Sequence, residues 1–136
     1  MRNLFLTFLL TFILGAAFGQ CDTIASVCSK NIGDGFISDG QLYRALLYED
    51  QVAEFNATFY GGSTYRLVGC SGFESGNLIY SVFDEKRNLL FTNSDYDNAP
   101  YWDFKVESTM QVIIEAHLDQ SKLDSGCAVM LINFEK

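Results

Sequence analysis

The sequence predicts an all-β fold, an antiparallel β-sandwich or jelly roll of about eight strands behind a short N-terminal helical or loop segment. Three observations carry that expectation. Trp102, Phe104 and Val106 alternate with Asp103, Lys105 and Glu107, and after Ser108 and Thr109 the same period resumes at Met110, Val112, Ile114, Ala116 and Leu118. A two-residue period is what a strand with one buried face requires. The apolar runs are short and are divided by turn-forming stretches, such as Gly61-Gly62, Ser71 to Gly76 and Asn93 to Pro100; these are the divisions of a sandwich. Aromatic residues make up 15% of the 136 residues and proline occurs once, so the chain has the means to bury one core and is not of a disordered type.

The elements follow in order. Arg2 precedes an apolar run from Leu4 to Ala17, interrupted by Thr7, Thr11 and Gly15, and the run closes Ala17-Phe18-Gly19. A basic start, a short apolar middle and small residues at the cut are expected of a secretory signal peptide, and the run is short for a membrane span. The expected division is therefore 1–19 signal peptide, 20–40 helix or loop extension and 41–136 β-sandwich domain, with a secreted or periplasmic address and no membrane span after signal removal.

Cys21 to Asn31 reads either as a short helix or as a loop closed by a Cys21–Cys28 bond. In a helix the seven-residue step is about 10.5 Å of rise, too far for those two cysteines to pair with each other. Gly33, Asp34, Gly35, Asp39 and Gly40 read as loop. Gln41 to Tyr48 fits helix or strand, and strand is preferred because strands follow. Phe55, Ala57 and Phe59 share one side of the next strand, Gly61-Gly62 reverse the chain, and Thr64 to Cys70 returns.

Asn77 to Thr92 reads as a hairpin buried on both faces, with Glu85 to Asn88 as its turn and Asn88 suited to a positive φ. It is expected to form the centre of the domain. Cys127 to Phe134, apolar on both sides, closes the domain as an interior strand.

Charge and cysteines narrow the role. A net charge of −8 without a basic cluster excludes nucleic acid and anionic membrane as partners, and removing 1–19 takes away Arg2 and no acid. Four cysteines in an exported chain imply disulfides, whereas zinc is disfavoured by the lack of a CxxC and by a single histidine, His117. Cys70 and Cys127, each beside a glycine at a strand end, are expected to pair, leaving the pairing of Cys21 and Cys28 open. Asn56-Ala57-Thr58 fits a glycosylation sequon, which would mean little in a bacterial protein.

No nucleophile–base motif or phosphate loop is present, and His117 falls on the polar side of its strand beside Glu115. The expectation is a non-enzymatic module without cofactor or metal. Asn93, Asp95 and Asp97 alternate like a calcium loop, but Asn98 and Phe104 stand where an EF-hand needs glycine and glutamate. If a ligand site exists, it is expected at Asp95, Tyr96, Asp97, Tyr101 and Trp102, a sugar platform with or without calcium. Against that, Trp102 opens the core alternation.

The stretches FNATFYGGSTYRLVGC, NLIYSVFDEKRNLLFT, STMQVIIEAHL and GCAVMLINF resemble bacterial pre-peptidase C-terminal (PPC) domains and related GOLD-like β-sandwiches, over roughly Gln41 to Phe134. They also resemble small exported proteins of Bacteroidetes-type bacteria. The resemblance implies a sandwich that serves as an accessory or binding module, with a protein or a glycan at the cell envelope as its partner. This chain is expected to depart from the pattern by standing alone, with no protease or glycosidase attached.

Overall fold

The structure, a computed structural model, describes residues 21–136. The expected cleavage at Gly19 lies outside the described residues. A helix, α1, covers 21–28 and continues as a 3-10 turn over Ser29–Asn31. Eight strands follow: β1 (Phe36–Tyr48), β2 (Val52–Phe59), β3 (Thr64–Cys70), β4 (Leu78–Asp84), β5 (Leu89–Thr92), β6 (Tyr101–Lys105), β7 (Met110–Leu118) and β8 (Ser125–Glu135). They form two antiparallel four-stranded sheets, ordered β1-β8-β3-β6 and β2-β7-β4-β5. This is a jelly roll, as the period-two runs implied.

Consecutive strands change sheet at every connection except β4 to β5. Gly61-Gly62 therefore does not close a hairpin. It carries the chain from β2 in one sheet to β3 in the other, and its backbone packs against the 107–109 connection, where a Cβ on Gly61 would sit 2.7 Å from the Glu107 carbonyl oxygen. The hairpin over Asn77 to Thr92 does form, but β5 is an edge strand and Ile79 and Phe83 are only half-buried on the outer side. The centre lies instead on β8 and β3 in one sheet and β7 and β4 in the other. In the hairpin turn Arg87 takes the positive φ (61°), while Asn88 donates from its Nδ2 and its backbone N–H to Asp84 at 2.9 and 2.8 Å.

The core is made of the inward sides of the alternating runs. Leu67, Met130 and Ile132 face Tyr80, Val82, Val112 and Ile114 across the sandwich. At Gly69 a Cβ would lie 2.7 Å from the Tyr80 ring. That glycine makes room for an aromatic from the opposite sheet, not for a disulfide.

The outer side of the β1-β8-β3-β6 sheet carries a second apolar cluster. Cys21, Ile24 and Cys28, on one side of α1, cover Val68, Val129 and Leu131. Two disulfides hold the helix there: Cys21–Cys127 and Cys28–Cys70, with Cα separations of 5.4 and 5.7 Å. The expected Cys70–Cys127 bond is thus incorrect. Cys70 stands opposite Val129, so Cys127 is offset by two residues along β8, and both sulfurs point outward toward the helix. A seven-residue step is two helical turns, which keeps Cys21 and Cys28 on one side and over those two positions. An Asp22–Arg44 ion pair also ties α1 to β1.

Gln41 to Tyr48 is strand, settled by its pairing with β8 from Leu42↔Leu131 to Tyr48↔Ser125. β1 starts earlier, at Phe36, so residues 36–40, expected in the N-terminal extension, belong to the sandwich. Asp39 and Gly40, read as loop, form the irregularity in register between Ser38 and Leu42, with Gly40 at φ 83°.

Candidate functional site

Four connections gather at one end of the jelly roll: 49–51, 71–77, 93–100 and 119–124. Each contributes acids to the surface. The first brings Glu49 and Asp50, the second Glu74, the third Asp95 and Asp97, and the fourth Asp119 and Asp124; Lys122 is the one basic residue among them. Most of the chain's net charge of −8 is therefore concentrated at this end.

The loops are held from within. Asn93 is fully buried; its Oδ1 accepts from the Tyr80 N–H at 2.9 Å, and its Nδ2 donates to the Leu78 and Ala99 carbonyls at 3.0 and 3.1 Å. One side chain thereby satisfies three backbone groups where the chain leaves β5, as buried backbone requires. Asp97 and Asn98 both take positive φ (55° and 53°), a conformation Asn and Asp tolerate best among non-glycine residues. That twist turns Asn98 Nδ2 toward the Gly76 carbonyl at 3.0 Å and Asp119 Oδ2 at 2.9 Å. Hydrogen bonds, first those from the Ser121 side chain and backbone and also that from Asn98, hold the Asp119 carboxyl below its ordinary value.

The 71–77 loop is anchored at both ends. Cys28–Cys70 fixes its start, Asn77 Nδ2 donates to the Ser71 carbonyl at 2.8 Å, and Lys122 Nζ donates to the Gly76 carbonyl at 3.1 Å. Between these anchors Phe73 is 73% exposed, the most exposed of the chain's large hydrophobic side chains among the described residues. Glu74 follows it. Neither was singled out from sequence, where 71–76 read simply as loop. The available signal was an aromatic residue in a run of serine and glycine.

The five residues expected to form a platform are divided. Asp95 and Tyr96 lie in the 3-10 turn Asn93–Tyr96, and Asp97 follows it. Tyr96 packs against Trp102, ring centroids 4.2 Å apart and planes tilted by 35°, and Trp102 stacks on Phe91 at 5.1 Å. Trp102 faces the interior side of β6, half-buried, as its alternation implied. Tyr101, one residue earlier, lies on the outer side. There its ring and that of Phe36 flank the Arg66 guanidinium, centroids at 4.4 and 4.2 Å, while Arg66 donates twice to Asp103 at 2.7 and 2.8 Å. Tyr96 and Trp102 are brought together, and Tyr101 is not. Among the described residues no group of three His, Cys, Asp or Glu side chains is placed to hold a metal ion. His117 lies on the outer side of β7, its Nδ1 3.1 Å from the Leu118 carbonyl.

A concavity opens on the flank between the edge strands β1 and β2. It encloses about 580 Å³ and is lined by Gln41, Tyr43, Asn56, Tyr60, Gln111 and Phe134, among others.

No family model matches the chain, and no curated protein matches it. Among solved structures it is similar to PliG of Aeromonas hydrophila, a periplasmic lysozyme inhibitor of g-type lysozyme. The TM-score is 0.54 and the identity 10%, over 73% of this chain and 91% of that one. What is shared at that identity is the sandwich fold. The Penaeus vannamei nodavirus P-domain also aligns, over 70% of this chain and 96% of that one at 11% identity, with a TM-score of 0.31. No helix among the described residues is long and apolar enough to cross a membrane.

Proposed function

We propose that the chain is an exported, non-catalytic binding module that captures a basic protein partner through the loop end of its jelly roll. One observation carries this reading: Phe73 stands in solvent on a loop anchored at both ends, beside Glu74 and at the end of the jelly roll where the acid-bearing connections gather. An exposed aromatic at an acidic end has the layout of a binding hot spot, an apolar anchor for a recess beside a polar surface. Because the loop is already ordered, little conformational freedom remains to be lost on binding. The acidic end steers a basic surface toward the anchor and disfavours acidic competitors.

Two disulfides support an oxidising compartment, in keeping with the signal-like segment at 1–19. The fold likeness to a periplasmic lysozyme inhibitor supports a protein as the partner and makes a g-type lysozyme the first candidate to test. The resemblance to PPC and GOLD-like domains supports the same non-catalytic role. A glycan platform at Asp95, Tyr96, Asp97, Tyr101 and Trp102 is the weaker reading, because Tyr101 faces away from the other aromatics and Tyr96 covers Trp102.

The test is biolayer interferometry of the oxidised protein against a panel of basic proteins that includes a g-type lysozyme. Binding should be saturable, with an association rate that falls as salt rises. Phe73→Ala should weaken it by about 2 kcal/mol or more, roughly thirtyfold, while Glu74→Gln should act mainly on the association rate. Equal binding by wild type and Phe73→Ala, or no binding across the panel, would overturn the reading.

A further inference from the structure

We infer a second ligand site, for a neutral saccharide, in the cleft on the β1–β2 flank. The cleft follows from the topology. β1 and β2 are edge strands of opposite sheets, joined through Glu49 to Gln51 at the loop end and open toward the other end. Along the inward side of β2, Phe55 and Phe59 place rings in the sandwich, but Ala57 stands between them with a methyl group. The unfilled space is the cleft, and about 580 Å³ falls within the roughly 300–1,000 Å³ of small-molecule sites.

The lining suits one class of ligand. Tyr43, Tyr65 and Phe134 supply aromatic surface at the floor and wall, and Tyr60, 62% exposed, stands at the mouth. Sugar rings pack their C–H faces on such surfaces. The polar groups at the rim of the cleft are planar amides with donors to spare; Asn56 and Gln111 border it from the outer side of β2 and β7, opposite in sense to Ala57 and Val112. The Gln41 amide oxygen accepts from the Tyr43 hydroxyl, and the Gln111 amide oxygen accepts from Thr58 Oγ1 at 2.9 Å. Each glutamine NH₂ then has no hydrogen-bond partner among the described residues. The Asn56 side chain likewise has none, and offers both donor and acceptor. Asp39 adds a carboxylate acceptor.

Charge and polarity exclude the alternatives. No lysine or arginine lines the cleft, and the chain is acidic, so phosphates, sulfated glycans and other anions are repelled. Asp39 alone does not make a cation site. A lining that mixes amides with aromatic faces leaves a purely apolar ligand's neighbours unsatisfied. A neutral mono- or disaccharide satisfies both halves. This site is distinct from the loop end and stands independently of the protein-binding reading.

The experiment is a ¹H–¹⁵N correlation titration of the oxidised protein with cellobiose, maltose, lactose and chitobiose. At least one should give saturable shifts at Gln41, Asn56, Tyr60 and Gln111. Ala57→Phe, which fills the cleft, should abolish them. Should that variant fail to fold, Tyr60→Ala and Gln111→Ala, both changes of exposed residues, should each weaken binding by about two- to tenfold, the effect of one net hydrogen bond or a comparable contact. Phe73→Ala should leave saccharide binding unchanged, which separates this site from the protein-binding one. The inference is overturned if no sugar in the panel gives saturable cleft shifts up to about 50 mM, weaker than the weakest useful affinities. It is equally overturned if a folded Ala57→Phe binds as the wild type does, which would place the sugar outside the cleft.

Discussion

Breaking either disulfide frees one of the two covalent ties that hold α1 on the outer side of the β1-β8-β3-β6 sheet, and the magnitude can be worked from the sequence separations. Cys21–Cys127 spans 106 residues and Cys28–Cys70 spans 42. In the chain-entropy model these closures constrain the unfolded chain by about 4.8 and about 3.9 kcal/mol respectively. A domain of this size loses about 4 °C of melting temperature per kcal/mol, so each loss should lower the midpoint by roughly 15–20 °C. That is a large share of the roughly 5–15 kcal/mol of a typical domain. The assay is thermal unfolding of four single and two double Cys→Ser variants, with non-reducing peptide mapping of the wild type. Cys28→Ser and Cys70→Ser should melt together, and their double variant should be little worse than either. Cys70→Ser combined with Cys127→Ser removes both bridges and should cost roughly the sum. If the Cys70/Cys127 double melts like its single variants, or if mapping links Cys70 to Cys127, the register argument that aims both sulfurs at the helix is refuted.

Asn93→Ala should destabilise the domain by about 3 kcal/mol, because it leaves the Tyr80 N–H and the Leu78 and Ala99 carbonyls without their side-chain partner; urea unfolding reads this, and a loss under 1 kcal/mol would count against it. Phe73→Ala, by contrast, should leave stability within about 0.5 kcal/mol, since the ring is exposed, and a larger change would mean that the ring supports the loop. Acid should weaken the fold in part through Asp84, whose carboxyl is held below its ordinary 3.8 by hydrogen bonds, first from the Asn88 side chain. A lowered folded-state pKa contributes stability that is present above the unfolded value and disappears as pH falls through the folded one. Melting temperature followed from about pH 5 down to about pH 2 should therefore fall less steeply in Asn88→Ala than in wild type, and parallel curves would remove Asp84 from the account.

The strands and their buried sides were legible in the sequence, because period-two alternation is a local property. Met110 to Leu118 reads the same in the chain as in the sheet, and Trp102 faces inward as its neighbours require. The even cysteine count and the length of a helical step also sufficed to say that a helical Cys21 and Cys28 would bond elsewhere. What alternation does not carry is the identity of the partner. Phe59 and Thr64 flank a Gly-Gly turn that looks like a hairpin, yet they enter different sheets, because a run of residues records that one side is buried and not against which strand. The same gap misassigned Cys70 and Cys127, whose pairing depends on the offset between β3 and β8 and on a helix lying across both. The loop end arises only when four connections from separate parts of the chain meet, bringing Phe73 to the same end as acids remote in sequence. The flank cleft depends on Ala57, which in the sequence is one more small core residue; it becomes a vacancy only when the opposing edge strands stand too far apart for a methyl group to fill the space between them.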